Sequence, residues 1–191
     1  MRTNVRVMLT SDQKGAIAES SIAAAAIKRG IGVYKPLFEG GRYDLIFDTG
    51  ILVRVQCKWA VRQGDVVLVR CYSCRRTRDG LIRRLYSAAD IDAFAAYCAD
   101  TDRCYFLPFA RFEGRSQILL RLAPTSNNQQ SGVNWARDFE LERLNFLRPG
   151  AIAQLGERLR GTQEVGGSSP PGSITHEVPD AASRMVRIKS L

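Results

Sequence analysis

The stretch YDLIFDTGILVRVQCKWA, Tyr43 to Ala60, constrains this chain more than any other part of it. Two runs rich in β-branched and aromatic residues meet at a Gly turn, which is the pattern of adjacent strands. Each run also carries polar side chains that a buried strand disfavours, because an unpaired polar group taken out of water loses its hydration for nothing. Asp44 stands among Tyr43, Leu45, Ile46 and Phe47, and Gln56 and Lys58 flank Cys57 just after Val53 and Val55. Alternate residues of a strand share a face. Arg54, Gln56 and Lys58 therefore project one way, and Val53, Val55, Cys57 and Trp59 the other. If the two runs pair as a hairpin about the DTG turn, Asp44 can lie beside Gln56 and Lys58.

The flanking segments supply a frame for that hairpin. SDQKGAIAESSIAAAAIKRG reads as a helix capped by Ser11 or Asp12 and stopped by Gly30, and it places Glu19 where it can reach the same cluster. IGVYKPLF reads as a strand broken by Pro36, and DVVLVRCYS as a further strand. SAADIDAFAAYCADTD reads as a second helix with Ser87 as its cap. RCYFLPFARF and SQILLRLA make two more strands, and ELERLNFL a short helix. The order predicts an α/β or α+β domain with a central mixed sheet flanked by helices. The domain is expected over residues 1–147. Residues 148–191, rich in Gly, Ser and Pro, are expected to form a largely irregular or disordered extension.

Charge narrows the partner class. Lys and Arg total 28 against 19 Asp and Glu, a net +9, which favours polyanions through counterion release. Arg75, Arg76, Arg78, Arg83 and Arg84 bracket an expected loop after the fourth strand and suit backbone phosphates. Asn127, Asn128, Gln129 and Gln130 carry amides suited to adenine edges. Lys14 at the helix start and Arg54 on the polar face complete the candidate DNA contacts. The bland alternative for each is a solvated surface residue. No apolar run is long enough to span a bilayer and the start lacks the apolar core of a signal peptide, so a cytoplasmic protein with no membrane partner is expected. Five cysteines without secretory context are expected as thiols. Cys71 and Cys74 form one C-x-x-C pair, but a zinc site needs a second pair, and the one His176 lies in the extension.

Two acids, an amide oxygen and an amine suit a hard divalent cation beside a phosphate. Mg²⁺ takes oxygen ligands and keeps several waters, so few protein ligands suffice. Such a cation neutralises developing charge and lowers the pKa of a water nucleophile. Combined with the basic balance, this points to phosphodiester hydrolysis.

Glu19 on a leading helix, Asp44 on one strand and Gln56-x-Lys58 on the next resemble the PD-(D/E)xK nuclease motif. The nearest branch is that of group I intron homing endonucleases, where Gln replaces the usual second acid. SDQKGAIAE, RCYFLP and RLAPTSNNQQSGVNWARDF are similar to that branch too, so the resemblance covers about Thr10 to Leu147. It implies a restriction-endonuclease-like core, Mg²⁺-dependent cleavage of double-stranded DNA (with Mn²⁺ a possible substitute) and a homo-oligomer, dimer or tetramer, to cut both strands. Glu19, Asp44, Gln56 and Lys58 are the implied catalytic set, and Asp44, Gln56, Cys57 and Glu19 the candidate metal set. Two departures stand out: Tyr43 occupies the position of the motif's proline, and Gln56 must coordinate through a neutral oxygen. A structure-selective nuclease of the Holliday junction resolvase type, or a DNA-binding protein with a vestigial site, remain as alternatives. The extension PGAIAQLGERLRGTQEVGGSSPPGS resembles a translated tRNA gene, with AQLGERL matching the D arm and GGSSP the TΨC arm. Its alternative is a short amphipathic helix over Ile152 to Leu159.

Overall fold

The computed structural model describes residues 8–143, apart from 39, 79 and 125–130. The leading helix, α1 (Ser11–Lys28), begins one residue earlier than the expected caps allow. Thr10 is the N-cap, because Gln13 three residues on closes a reciprocal capping box: Gln13 N donates to Thr10 Oγ1 at 3.2 Å, and Thr10 N donates to Gln13 Oε1 at 2.9 Å. Gly30, at φ 74°, turns the chain out of the helix. Ala18, Ile22, Ala25 and Ala26 form the buried face, and the small residues let α1 lie close against the sheet.

Seven strands make one mixed sheet. β1 (Gly32–Tyr34) pairs antiparallel with β2 (Leu45–Asp48), and β2 with β3 (Leu52–Gln63), Ile46 opposite Arg54. The expected hairpin about the DTG turn is present, with Gly50 at φ 89°. β3 is the spine. Its far end, Val61–Gln63, pairs with β4 (Val66–Arg70), which continues to β9 (Gln117–Arg121). Its middle, Val55–Ala60, pairs in parallel with β7 (Ala93–Cys98), which is followed antiparallel by β8 (Arg103–Pro108). A one-turn helix, α2 (Phe109–Phe112), and 3₁₀ turns at Ala136–Asp138 and Leu141–Arg143 close the described chain.

Three sequence expectations are corrected. The segment read as a second helix, SAADIDAFAAYCADTD, instead supplies β7, and Ser87 closes a turn by donating N–H and Oγ–H to Asp90 Oδ2 at 3.0 Å each. β7 lies between β3 and β8 with both faces covered: Ala93 and Ala95 pack on the α1 side, and Phe94, Ala96 and Cys98 on the other. A strand buried on both faces loses its polar alternation, so alanines chosen for close packing imitate a helix former. The arginine-rich loop is likewise a two-stranded ribbon, β5 (Tyr72–Thr77) with β6 (Gly80–Leu85), Cys74 opposite Arg83. The short helix expected in ELERLNFL is a single 3₁₀ turn as far as Arg143. The remainder of that segment and the extension lie outside the described residues.

Phe94 has its ring 5.4 Å from Tyr86 and 6.0 Å from Phe109, centroid to centroid, and is fully buried. Phe94→Ala is expected to lower unfolding free energy by about 3–5 kcal/mol, read from chemical denaturation.

Candidate active site

Asp44 stands one residue before β2, where β2 parts from β3. Its N–H donates to Val55 O at 2.9 Å. Its Oδ2 accepts the N–H of Cys57 at 2.8 Å and also the side-chain amide of Gln56. No hydrogen bond from the described residues reaches its second oxygen. Gln56 is 8% exposed, the one polar side chain in the core among the described residues, and its partner Asp44 accounts for that burial. Burial raises the Asp44 carboxyl above its ordinary value. The Cys57 N–H opposes the rise, the charge of Glu19 adds to it, and Lys58 opposes it.

Glu19 reaches the site from the middle of α1. It is half-buried and accepts from Lys35 Nζ at 2.8 Å. Lys58, on the same face of β3 as Gln56, donates to the Tyr72 carbonyl at 3.2 Å and to Tyr86 Oη at 3.0 Å. Burial lowers its ammonium pKa, and the charge of Asp44 partly restores it. The structure thus brings Glu19, Asp44, Gln56 and Lys58 to one place.

Other expected residues fall elsewhere. The Cys57 thiol is buried in the core beneath α1, and burial with the charges of Asp44 and Glu19 pushes its pKa well up. A thiol binds metal as thiolate, so Cys57 belongs to the site through its main chain and not its sulfur. Arg54 is corrected from a DNA contact to a strap: Nε and one terminal nitrogen bind Asp92 at 3.0 and 2.8 Å, and the guanidinium also donates to the carbonyls of Ala88 and Ala89. Lys14 sits in the first turns of α1 and joins no contact of the cluster among the described residues. Arg75, Arg76, Arg78, Arg83 and Arg84 are all exposed on the ribbon or its turn, with Arg83 5.1 Å over the Tyr72 ring. Asn127, Asn128, Gln129 and Gln130 lie outside the described residues.

Sequence reasoning missed Lys35, Arg42, Tyr72 and Tyr86. The Arg42 guanidinium lies 4.1 Å over the Tyr86 ring, and it donates to Ser73 Oγ, the Leu85 carbonyl and Asp90. These contacts join residues far apart in the chain, and no local pattern announces them. Nor do three or more His, Cys, Asp or Glu side chains converge as a metal site among the described residues. A cation here would rest on Asp44, Glu19 and the Gln56 amide oxygen. The donor chemistry fits: all are hard oxygens, and a cation would offset the mutual repulsion of two carboxylates. All five cysteines are free thiols, with Cys74 exposed and the others buried. No helix among the described residues is long and apolar enough to cross a membrane.

A family profile described as PD-(D/E)XK endonuclease matches residues 9–142. Among solved structures, the chain is similar to a bacterial homing endonuclease, I-Ssp6803I, at 25% identity and a TM-score of 0.58. The match covers 82% of this chain and 100% of that one. No curated protein matches the sequence.

The raised Asp44 pKa has a consequence for stability. An acid whose folded pKa lies above its unfolded value of 3.8 weakens the fold once it ionises, so stability falls as pH rises through the two values. Asp44→Asn keeps an acceptor for Cys57 N–H and removes the charge. Its melting temperature is expected to rise at pH 7 by about 2–4 °C per kcal/mol relieved, with the gain vanishing below pH 3.8, as differential scanning fluorimetry across pH would show.

Proposed function

The chain belongs to the PD-(D/E)XK endonuclease family, and we propose that it is a Mg²⁺-dependent, site-specific endonuclease of homing type acting on double-stranded DNA. That it is a nuclease, a hydrolase with DNA as its substrate, follows from the family and from its structural neighbour. Nucleases of this family generally use divalent metals such as Mg²⁺. The observation that carries the finer reading is the meeting of Asp44, Gln56 and Lys58 where β2 leaves β3, with Glu19 alongside. The homing type is supported by the likeness to a bacterial homing endonuclease across its whole length.

Asp44, Glu19 and the Gln56 oxygen are the groups that would hold Mg²⁺. When bound, the ion would neutralise charge at the phosphate and make a bound water more acidic. Lys58 supplies a cationic donor on the same face as Gln56, suited to the attacking water or a phosphate oxygen. The water oxygen bonds to phosphorus as the P–O3′ bond breaks. The water gives up a proton and O3′ gains one, leaving a 5′ phosphate and a 3′ hydroxyl. The ribbon arginines project into solvent and suit phosphates flanking the cut. Cutting both strands takes two such sites, which a symmetric homo-oligomer provides.

The test uses plasmid carrying the DNA that surrounds the coding sequence, tRNA-like segment included. Wild type is expected to make discrete cuts with Mg²⁺ and none with chelator. Lys58→Ala is expected to lose at least about a hundredfold in rate. Cleavage restricted to branched DNA would transfer the reading to a junction resolvase, and binding without cutting would leave a vestigial site. Replacing Arg75, Arg76, Arg83 and Arg84 with alanine is expected to flatten the dependence of log binding constant on log salt. The slope should drop by about 0.9 for each phosphate that an arginine no longer neutralises, measured by fluorescence anisotropy.

A further inference from the structure

Lys58 is fixed by groups outside the strands that carry Asp44 and Gln56. Both of its acceptors, the Tyr72 carbonyl at 3.2 Å and Tyr86 Oη at 3.0 Å, lie at the root of the arginine ribbon, since Tyr72 opens β5 and Tyr86 directly follows β6. The amine also lies 4.7 Å from the Tyr86 ring centroid. Tyr86 is itself immobilised. Phe94 packs edge-on at 5.4 Å, the Arg42 guanidinium covers the ring at 4.1 Å, and the side chain is buried in the core. Arg42 in turn grips the ribbon root through Ser73 and the Leu85 carbonyl and ties it to Asp90. A long, flexible lysine loses rotamer freedom only where its head is tethered, and here the ribbon root holds the tether.

We propose that Tyr86 is the positioning residue for Lys58, its hydroxyl and ring setting the place of the amine beside Asp44 and Gln56. This rests on the reading of Lys58 as the amine of the nuclease site. It follows that the element bearing the exposed arginines also fixes the amine. A ribbon seated on DNA and an amine seated at the phosphate are then one mechanical unit.

Tyr86→Phe in the full chain tests this, because it removes the hydroxyl and leaves the ring against Arg42 and Phe94. Tyr97→Phe, which removes a phenol bonded to Asp102 instead, is the control. Two quantities are measured. In metal-free buffer at fixed pH, trace acetylation of Lys58 is followed by mass spectrometry against Lys28. With Mg²⁺ and saturating DNA, the single-turnover cleavage rate is measured beside the DNA dissociation constant. Tyr86→Phe is expected to speed Lys58 acetylation severalfold and to slow cleavage about tenfold at unchanged DNA affinity, while Tyr97→Phe changes neither. Unchanged Lys58 acetylation in Tyr86→Phe overturns the proposal. So does faster acetylation with an unaltered cleavage rate, or slower cleavage accompanied by an equal loss of DNA affinity. If wild type cuts no DNA, the endonuclease reading falls, and the acetylation rates alone decide whether Tyr86 positions Lys58.

Discussion

The hydrogen bond from Cys57 N–H to Asp44 is the contact on which the site and its sheet both depend. The ladder between β2 and β3 ends at Leu45 opposite Val55, while β3 runs on toward Gln63. β7 satisfies one edge of the continuing strand in parallel register. On the edge β2 has left, the Cys57 N–H would be orphaned in the interior, at a penalty of about 1–3 kcal/mol. Asp44 Oδ2 takes the place of the missing backbone acceptor. The acid thus stands at the head of an apolar strand because a side chain must finish the ladder where the main chain departs. The same departure opens the gap into which Glu19 and Lys58 reach.

That logic explains what the sequence made legible. Asp44, Gln56 and Lys58 stood out because their polarity conflicts with the strand pattern around them, and such conflicts in a fold tend to mark function. β7 escaped notice for the opposite reason. Its alanines agree with helix propensity, and only a sheet neighbour on each edge, with α1 over one face, makes them strand residues. The ribbon was hidden by its lack of a core. Leu81, Ile82 and Leu85 are exposed beside Arg83 and Arg84, and no residue of either strand is buried, so neither shows a buried face. Tyr86 was unreadable because an ordinary aromatic acquires its role through an amine 28 residues away in sequence.

Positive charge serves the scaffold. Two arginines meet the two acids just before β7: Arg42 with Asp90 and Arg54 with Asp92. Arg42 holds the Asp90 carboxyl down to about 2. Burial pulls the Asp92 carboxyl up, yet its bonds to Arg54 hold it below its usual value. These pairs fix the turn that feeds β7 alongside β3, and multiple hydrogen bonds per guanidinium make them more than surface ion pairs. Arg54 shows the hazard of reading DNA contacts from strand alternation alone. Its face was read correctly, yet an acid from the crossover occupies it.

Gln56 follows from the electrostatics of the gap. Burial and the charge of Glu19 already raise the Asp44 carboxyl. A carboxylate at position 56, in a site only 8% exposed, would add a third like charge with almost no water to screen it. Glutamine instead donates its amide hydrogen to Asp44 while keeping an oxygen available to a cation. The strand can then fold with the acid paired before any metal is present. A cation bound here would meet less negative charge, and Glu19 would be the second full charge that compensates. Its position on α1, held by Lys35, places that charge on an element independent of the two strands. An amide at position 56 is therefore consistent with a working site so long as the helix supplies the acid that the strand lacks.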